Sequence, residues 1–123
     1  MVKTKRVYER PSKEDGCRIL VDRLWPRGVS KAKAKIDMWV KDVAPSDSLR
    51  KWFSHDTRKW DKFYIRYEKE LWPKWDLVEK IKEYERELGT VTLLYAAKDE
   101  LHNNAVVLHD LVATAEHPLE KCC

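Results

Sequence analysis

The chain has 123 residues, 43% hydrophobic and 37% charged, enough apolar material for one core and too short for two ordinary domains. Mean hydropathy is −0.68, and no apolar run approaches the roughly 20 residues of a membrane-spanning helix, so a transmembrane reading is excluded. The net charge of +4 is unevenly spread: residues 1–62 hold 17 Lys/Arg against 9 Asp/Glu, and residues 63–123 hold 8 against 12.

The first residues, Met1 to Arg6, are basic but lead into no apolar segment. A secretory signal is therefore not indicated, and the expected compartment is the cytoplasm. Thr4–Tyr8 and Cys17–Leu24 read as strands, the second around the β-branched run Ile19-Leu20-Val21, with Pro11, Ser12, Asp15 and Gly16 forming the turn between them. Trp25-Pro26-Arg27-Gly28-Val29-Ser30 cannot lie inside a helix, because proline restricts the residue before it and glycine follows two positions on. It is a loop at a strand's carboxyl end. Ile36, Met38 and Val40 alternate with Asp37, Trp39 and Lys41, the pattern of a third strand with one apolar face.

Beyond Pro45 the period becomes helical. Ser46 or Ser48 caps a short helix carrying Leu49, Trp52 and Phe53, and Asp56 caps a longer one with Trp60, Phe63, Tyr64, Tyr67 and Leu71, stopped by Pro73. Asp76 opens a third helix with Leu77, Val78, Ile81, Tyr84 and Leu88 inward and Gly89 at its end. Thr90–Ala96 is a strand, and a loop over 97–102 leads into a last helix capped by Asn103 or Asn104, with Val107, Leu108, Leu111 and Val112 inward. The expectation is a single α/β domain, residues 1–118, with a small mostly parallel or mixed sheet and helices packed on it, followed by a flexible tail at 119–123.

Cys17, Cys122 and Cys123 are an odd number without the spacing of a disulfide framework, and the terminal pair beside His117 lacks metal-site spacing. No metal or cofactor is implied. Cys17 reads as buried packing. Six tryptophans are many for this length. Trp52 and Trp60 fall at inward helical positions, which favours packing over a base-stacking platform with Arg50, Lys51, Arg58, Lys59 and Lys62.

Two loops follow strands and could form a site, because ligands in open α/β sheets gather at the strands' carboxyl ends. In the first, Arg23 and Arg27 can present planar forks to a phosphate or carboxylate, and Trp25 an apolar wall. The competing reading pairs Arg23 with Asp22 or a helix carboxylate and places Trp25 in the core. In the second, the small residues Ala96 and Ala97 precede Lys98 and Asp99, and Asn103 stands at a helix N-terminus, which favours anions. The glycines of a P-loop or dinucleotide fingerprint are absent, and Asn103 could serve only as a cap. His102 or Asp99 could act as an acid-base group, and Asp56 could orient His55.

The string Val21-Asp22-Arg23-Leu24-Trp25-Pro26-Arg27-Gly28-Val29-Ser30-Lys31, the segments 39–46, 49–55 and 67–71, and Thr92 to Asp99 through Asn103 span nearly the whole chain. Together they resemble the YeaO-like branch of the domain-of-unknown-function 488 family, small cytosolic proteins of bacteria and archaea. Other branches look as though they carry a cysteine and a glutamate just after the last strand and a Cys-His-Arg string at the following helix. This sequence has Tyr95 and Ala97 near the first pair and His102-Asn103-Asn104 near the string. The thiol that covalent catalysis needs is missing from this loop.

The functional expectation is a protein that binds a small anionic ligand, a nucleotide or phosphorylated metabolite, through Arg23, Trp25, Arg27, Lys98, Asp99 and Asn103. The alternatives are an enzyme using His102 or Asp99, and a nucleic-acid-binding protein using the basic N-terminal half.

Overall fold

The structure, a computed structural model, describes residues 1–114. The expected tail at 119–123, with His117, Cys122 and Cys123, lies outside the described residues.

Four strands form one parallel sheet, β1 (Val2–Arg6), β2 (Cys17–Leu20), β3 (Met38–Trp39) and β4 (Val91–Tyr95), in the order β1-β4-β2-β3. The last strand of the chain thus lies between the first two, pairing Val91 with both Val2 and Cys17. All five residues of β4 are buried, which is why its sequence, VTLLY, carries no charged residue, and the hydroxyl of Thr92 donates to Asp15 O at 2.6 Å. Side chains divide between the two faces with period two. Ile19, Val91, Leu93 and Tyr95 join the main core with Phe53, Phe63, Tyr67, Leu71, Val78, Ile81 and Leu108. Leu20 and Leu94 belong to a smaller cluster with Val7, Ala34 and Ile36.

Among the described residues five α-helices cover the sheet: α1 (Lys31–Ala34), α2 (Asp47–Phe53), α3 (Trp60–Leu71), α4 (Trp75–Leu88) and α5 (Asn104–Thr114). Their ends are set by side chains that satisfy otherwise orphaned backbone groups. Ser46 Oγ accepts from Leu49 N–H and donates to Glu70 on α3, tying the start of α2 to its neighbour at 2.6 Å. Pro73 sits in a 3-10 turn, Trp72–Lys74, that separates α3 from α4. Gly89 ends α4 with φ +87° and donates its N–H to Glu85 O. Before β2, Gly16 adopts φ +62°, and a side chain there would collide with the Thr90 carbonyl that accepts from Cys17 N–H.

Several boundaries differ from the sequence expectation. β1 and β2 end two and four residues early, and β3 pairs over two residues only, although Val7, Val21 and Val40 still donate their N–H groups to the carbonyls of Tyr95, Leu94 and Leu20. The one-turn α1 falls in residues to which the sequence assigns no element; four Lys and Ala residues are too few to show a period. Asp56 caps a 3-10 turn, Thr57–Lys59, that precedes α3. Leu88 is 57% exposed, not inward, since α4 runs past the edge of the core. Among the alternatives left open, Ser46 and Asn103 are the caps.

Tyr67 illustrates how a polar group is accommodated in this core. It is fully buried, and its hydroxyl donates to Val43 O at 2.6 Å. Burial first, then the nearby Asp22 and Glu70 carboxylates, push its ionisation well above the usual phenol range, so it stays a neutral donor. Tyr67→Phe is expected to cost about 1–2 kcal/mol, read by denaturant unfolding, because the buried carbonyl loses its partner.

Candidate functional site

The site is built at the carboxyl edge of the sheet between its two central strands. From β2 the chain leaves toward β3, and from β4 it leaves toward α5, which packs on β1, so the connections diverge and open a crevice. Asp22 holds the two strand ends together: its Oδ2 accepts from Ala96 N–H at 2.9 Å, and its carbonyl accepts from Trp39 Nε1–H at 2.7 Å. Asn104 Nδ2 donates to Val21 O at 3.0 Å and fixes the start of α5 against the end of β2.

The loop after β2 is shaped by its own side chains. Arg23 donates from Nε to Pro45 O at 3.1 Å and from Nη2 to Ala44 O at 3.2 Å. Among the described residues it makes no ion pair with Asp22 or with a helix carboxylate. Trp25 is 36% exposed, lies edge-on to Trp39 with centroids 5.4 Å apart, and donates its indole N–H to Val29 O, closing the loop over Pro26 and Gly28. Tyr8 donates to Arg27 O, which fixes the backbone of Arg27 while its side chain is exposed.

The loop after β4 is equally self-supporting. Arg6 donates to the carbonyls of Ala96 and Ala97. Asp99 Oδ1 accepts from the N–H groups of Leu101 and His102, and Oδ2 lies 2.9 Å from His102 Nδ1. Those backbone N–H groups, with the His102 side chain, hold the Asp99 carboxyl below its usual range. Asn103 is buried, donates from Nδ2 to Asp99 O, and accepts from Val106 N–H as the cap of α5.

Both loops line one cleft of about 850 Å³. All six residues expected at the site, Arg23, Trp25, Arg27, Lys98, Asp99 and Asn103, face it. The roles within it differ. The polar atoms of Asp99 and Asn103 are engaged in the turn before α5, and Arg23 braces the 44–45 carbonyls, whereas Arg27 and Lys98 are exposed and make no ion pair among the described residues.

Sequence reasoning did not place the end of α2 in this cleft. Arg50 and Lys51 on α2 line it too, as do Ser54 (φ +46°) and His55 (φ +58°), two successive left-handed residues just past the helix. Their only sequence signal is the Lys/Arg run beside the helix stop. His55 is not oriented by Asp56, whose carboxylate accepts from Arg58 instead. The lining thus holds five Lys/Arg side chains against the carboxylates Asp22 and Asp99. Burial pushes the Asp22 carboxyl up, opposed by its bonds to Ala96 N–H and Asn104 and by the field of His55. Among the described residues no cluster of three His, Cys, Asp or Glu side chains could hold a metal, and no helix is long and apolar enough to cross a membrane.

Arg23→Ala is expected to lower the melting temperature of the ligand-free protein, at a cost of about 1–3 kcal/mol, because it strips donors from two carbonyls at buried positions. Arg27→Ala is expected to leave that temperature unchanged. Thermal unfolding of the two variants side by side checks the division of roles.

Over residues 1–121 the chain matches the family described as the inactive DUF488-N3 subclade. It is 40% identical over 111 residues to the uncharacterized protein Rv3073c of Mycobacterium tuberculosis H37Rv, covering 90% of this chain and 92% of that protein. The uncharacterized protein Mb3100c of Mycobacterium bovis matches to the same extent. The uncharacterized protein YeaO of Escherichia coli K12 is 38% identical over 109 residues, covering 89% of this chain and 94% of YeaO. No solved structure matches the chain significantly.

Proposed function

The chain belongs to the YeaO-like DUF488 family, and from that premise we propose that it binds a small anionic ligand, a nucleotide or phosphorylated metabolite, in the cleft between the β2 and β4 loops. The observation that carries this reading is the convergence of segments 22–27, 50–55 and 96–104 on one 850 Å³ concavity with an excess of cations. The N-terminus of α5 opens onto the same space and adds a favourable dipole. The description of the matching subclade as inactive, and the absence of a thiol from either loop, support binding without covalent chemistry.

The test is stabilisation by sulfate, which keeps its charge across the working range, read as the shift in melting temperature at several pH values. The Asp22 carboxyl titrates above its usual range, so the cleft sheds a negative charge as pH falls through that raised value. Sulfate affinity is therefore expected to rise as pH is lowered through the raised Asp22 value. Affinity that falls on acidification, or no stabilisation at any pH, would contradict the proposal.

One observation favours a catalytic reading: the 2.9 Å contact of Asp99 Oδ2 with His102 Nδ1 orients an imidazole at the cleft wall. An unaltered pH profile in His102→Ala, for any activity found, would remove His102 from that role. Nucleic-acid binding through the basic first half would show steep salt dependence. The helix tryptophans do not favour it: Trp52 is covered by Lys59 and Arg66 at 5.0 and 4.2 Å, and Trp60 packs against Phe53, Phe63, Tyr64 and His102.

A further inference from the structure

The cleft is built for more than a bare oxyanion. Its volume of about 850 Å³ is that of a site for a ligand of drug or nucleotide size, several times larger than phosphate requires. Its two sides also differ in chemistry. On the β2 loop, Leu24 is 61% exposed and adjoins Trp25 and Pro26. The indole N–H of Trp25 is already bonded to Val29 O, so the ring offers the cleft only apolar, π-bearing surface. Arg27 and Lys98 supply positive charge and make no ion pair among the described residues. Between the two strand ends stands Asp22, whose ionised carboxylate only accepts hydrogen bonds; it repels a naked anion and suits a molecule bearing hydroxyl or amino donors.

Cation, acceptor and flat apolar wall are the three partners a nucleoside phosphate asks for. Resting on the anion-binding reading above, we propose that the ligand class is a nucleoside phosphate. Its phosphates lie at Arg27, Lys98 and the start of α5, its ribose hydroxyls at Asp22, and its base against Leu24 and Trp25. A phosphorylated sugar would use the first two and leave the wall uncovered. A bare phosphate would use the first alone and face the Asp22 carboxylate.

The experiment is calorimetric titration of the full chain with ADP, GDP and UDP, ribose 5-phosphate and pyrophosphate. At least one nucleoside diphosphate is expected to bind about tenfold or more tightly than ribose 5-phosphate and pyrophosphate, since stacking on an aromatic side chain typically contributes a factor of that order or larger. In Trp25→Leu that advantage is expected to vanish while pyrophosphate affinity holds, with the melting temperature of the free variant as the folding control. If ribose 5-phosphate and pyrophosphate match every nucleotide on the unaltered protein, the nucleoside inference is overturned and the anion site stands. If none of the five binds at millimolar concentration, the anion reading falls with it.

Discussion

Asp15→Ala is expected to destabilise the protein by about 3–5 kcal/mol, the usual cost of leaving one member of a buried ion pair without its counter-charge. Asp15 is 4% exposed and Arg18, on β2, is 2% exposed, with Arg18 Nη1 lying 2.6 Å from Asp15 Oδ2. Lys5 on β1 reaches the same carboxylate at 3.2 Å, and Ser12 N–H donates to it, so three segments before and within the sheet meet on one side chain. Arg18 Nε also holds Ala34 O at the end of α1. Burial alone would raise the Asp15 carboxyl, but the bonds from Ser12, Lys5 and Arg18 outweigh it and hold the group below its usual range. The folded-state value is thus depressed, and the associated stability is present above the unfolded value and lost as pH falls through the folded one. Urea unfolding at neutral and acid pH checks both points: the gap between wild type and Asp15→Ala should narrow on acidification. Adding Arg18→Met to Asp15→Ala should recover part of the loss, because the stranded guanidinium is removed.

The double variant Arg27→Ala with Lys98→Ala is expected to weaken pyrophosphate binding by about a hundredfold or more and leave the melting temperature of the free protein unchanged. Each charge-assisted hydrogen bond to a phosphate oxygen contributes about 1.5–3 kcal/mol, and two such bonds exceed the roughly 2.7 kcal/mol that a hundredfold loss represents. The absence of a folding penalty follows from exposure: neither side chain braces the backbone, in contrast to Arg23. Titration calorimetry gives the affinity, and thermal unfolding of the same preparations supplies the control.

Much of the site was legible because it is punctuated. Pro26 and Gly28 forced a loop after the Ile19-Leu20-Val21 run, and the buried β4 sequence pointed to a second loop with Asn103 at a helix start. Both loops follow parallel strands, so their convergence needed only that β2 and β4 be neighbours, which pairing of Leu20 with Leu94 provides. What sequence could not supply was what packs over them. Arg50, Lys51 and His55 reach the cleft through the docking of α2 on α3, in which Ser46 bonds Glu70 and Phe53 stacks on Phe63 at 4.3 Å. No local pattern encodes that contact. Adjacency in sequence makes Asp22 one candidate partner for Arg23, yet the sheet order gives it the Ala96 N–H instead, and Arg23 turns to the 44–45 carbonyls. β3 pairs over Met38 and Trp39, with the Asp37 and Val40 N–H groups donating to the carbonyls of Arg18 and Leu20, while Ile36 and Val40 pack against different core clusters.

The most direct measurement is amide chemical-shift mapping of the isotopically labelled chain titrated with pyrophosphate. The account requires saturable shifts concentrated in residues 22–28, 50–55 and 96–104, all moving with one dissociation constant. Shifts scattered over the lysines of the first half without saturation, or centred on a surface away from these three segments, would contradict a shared anion cleft.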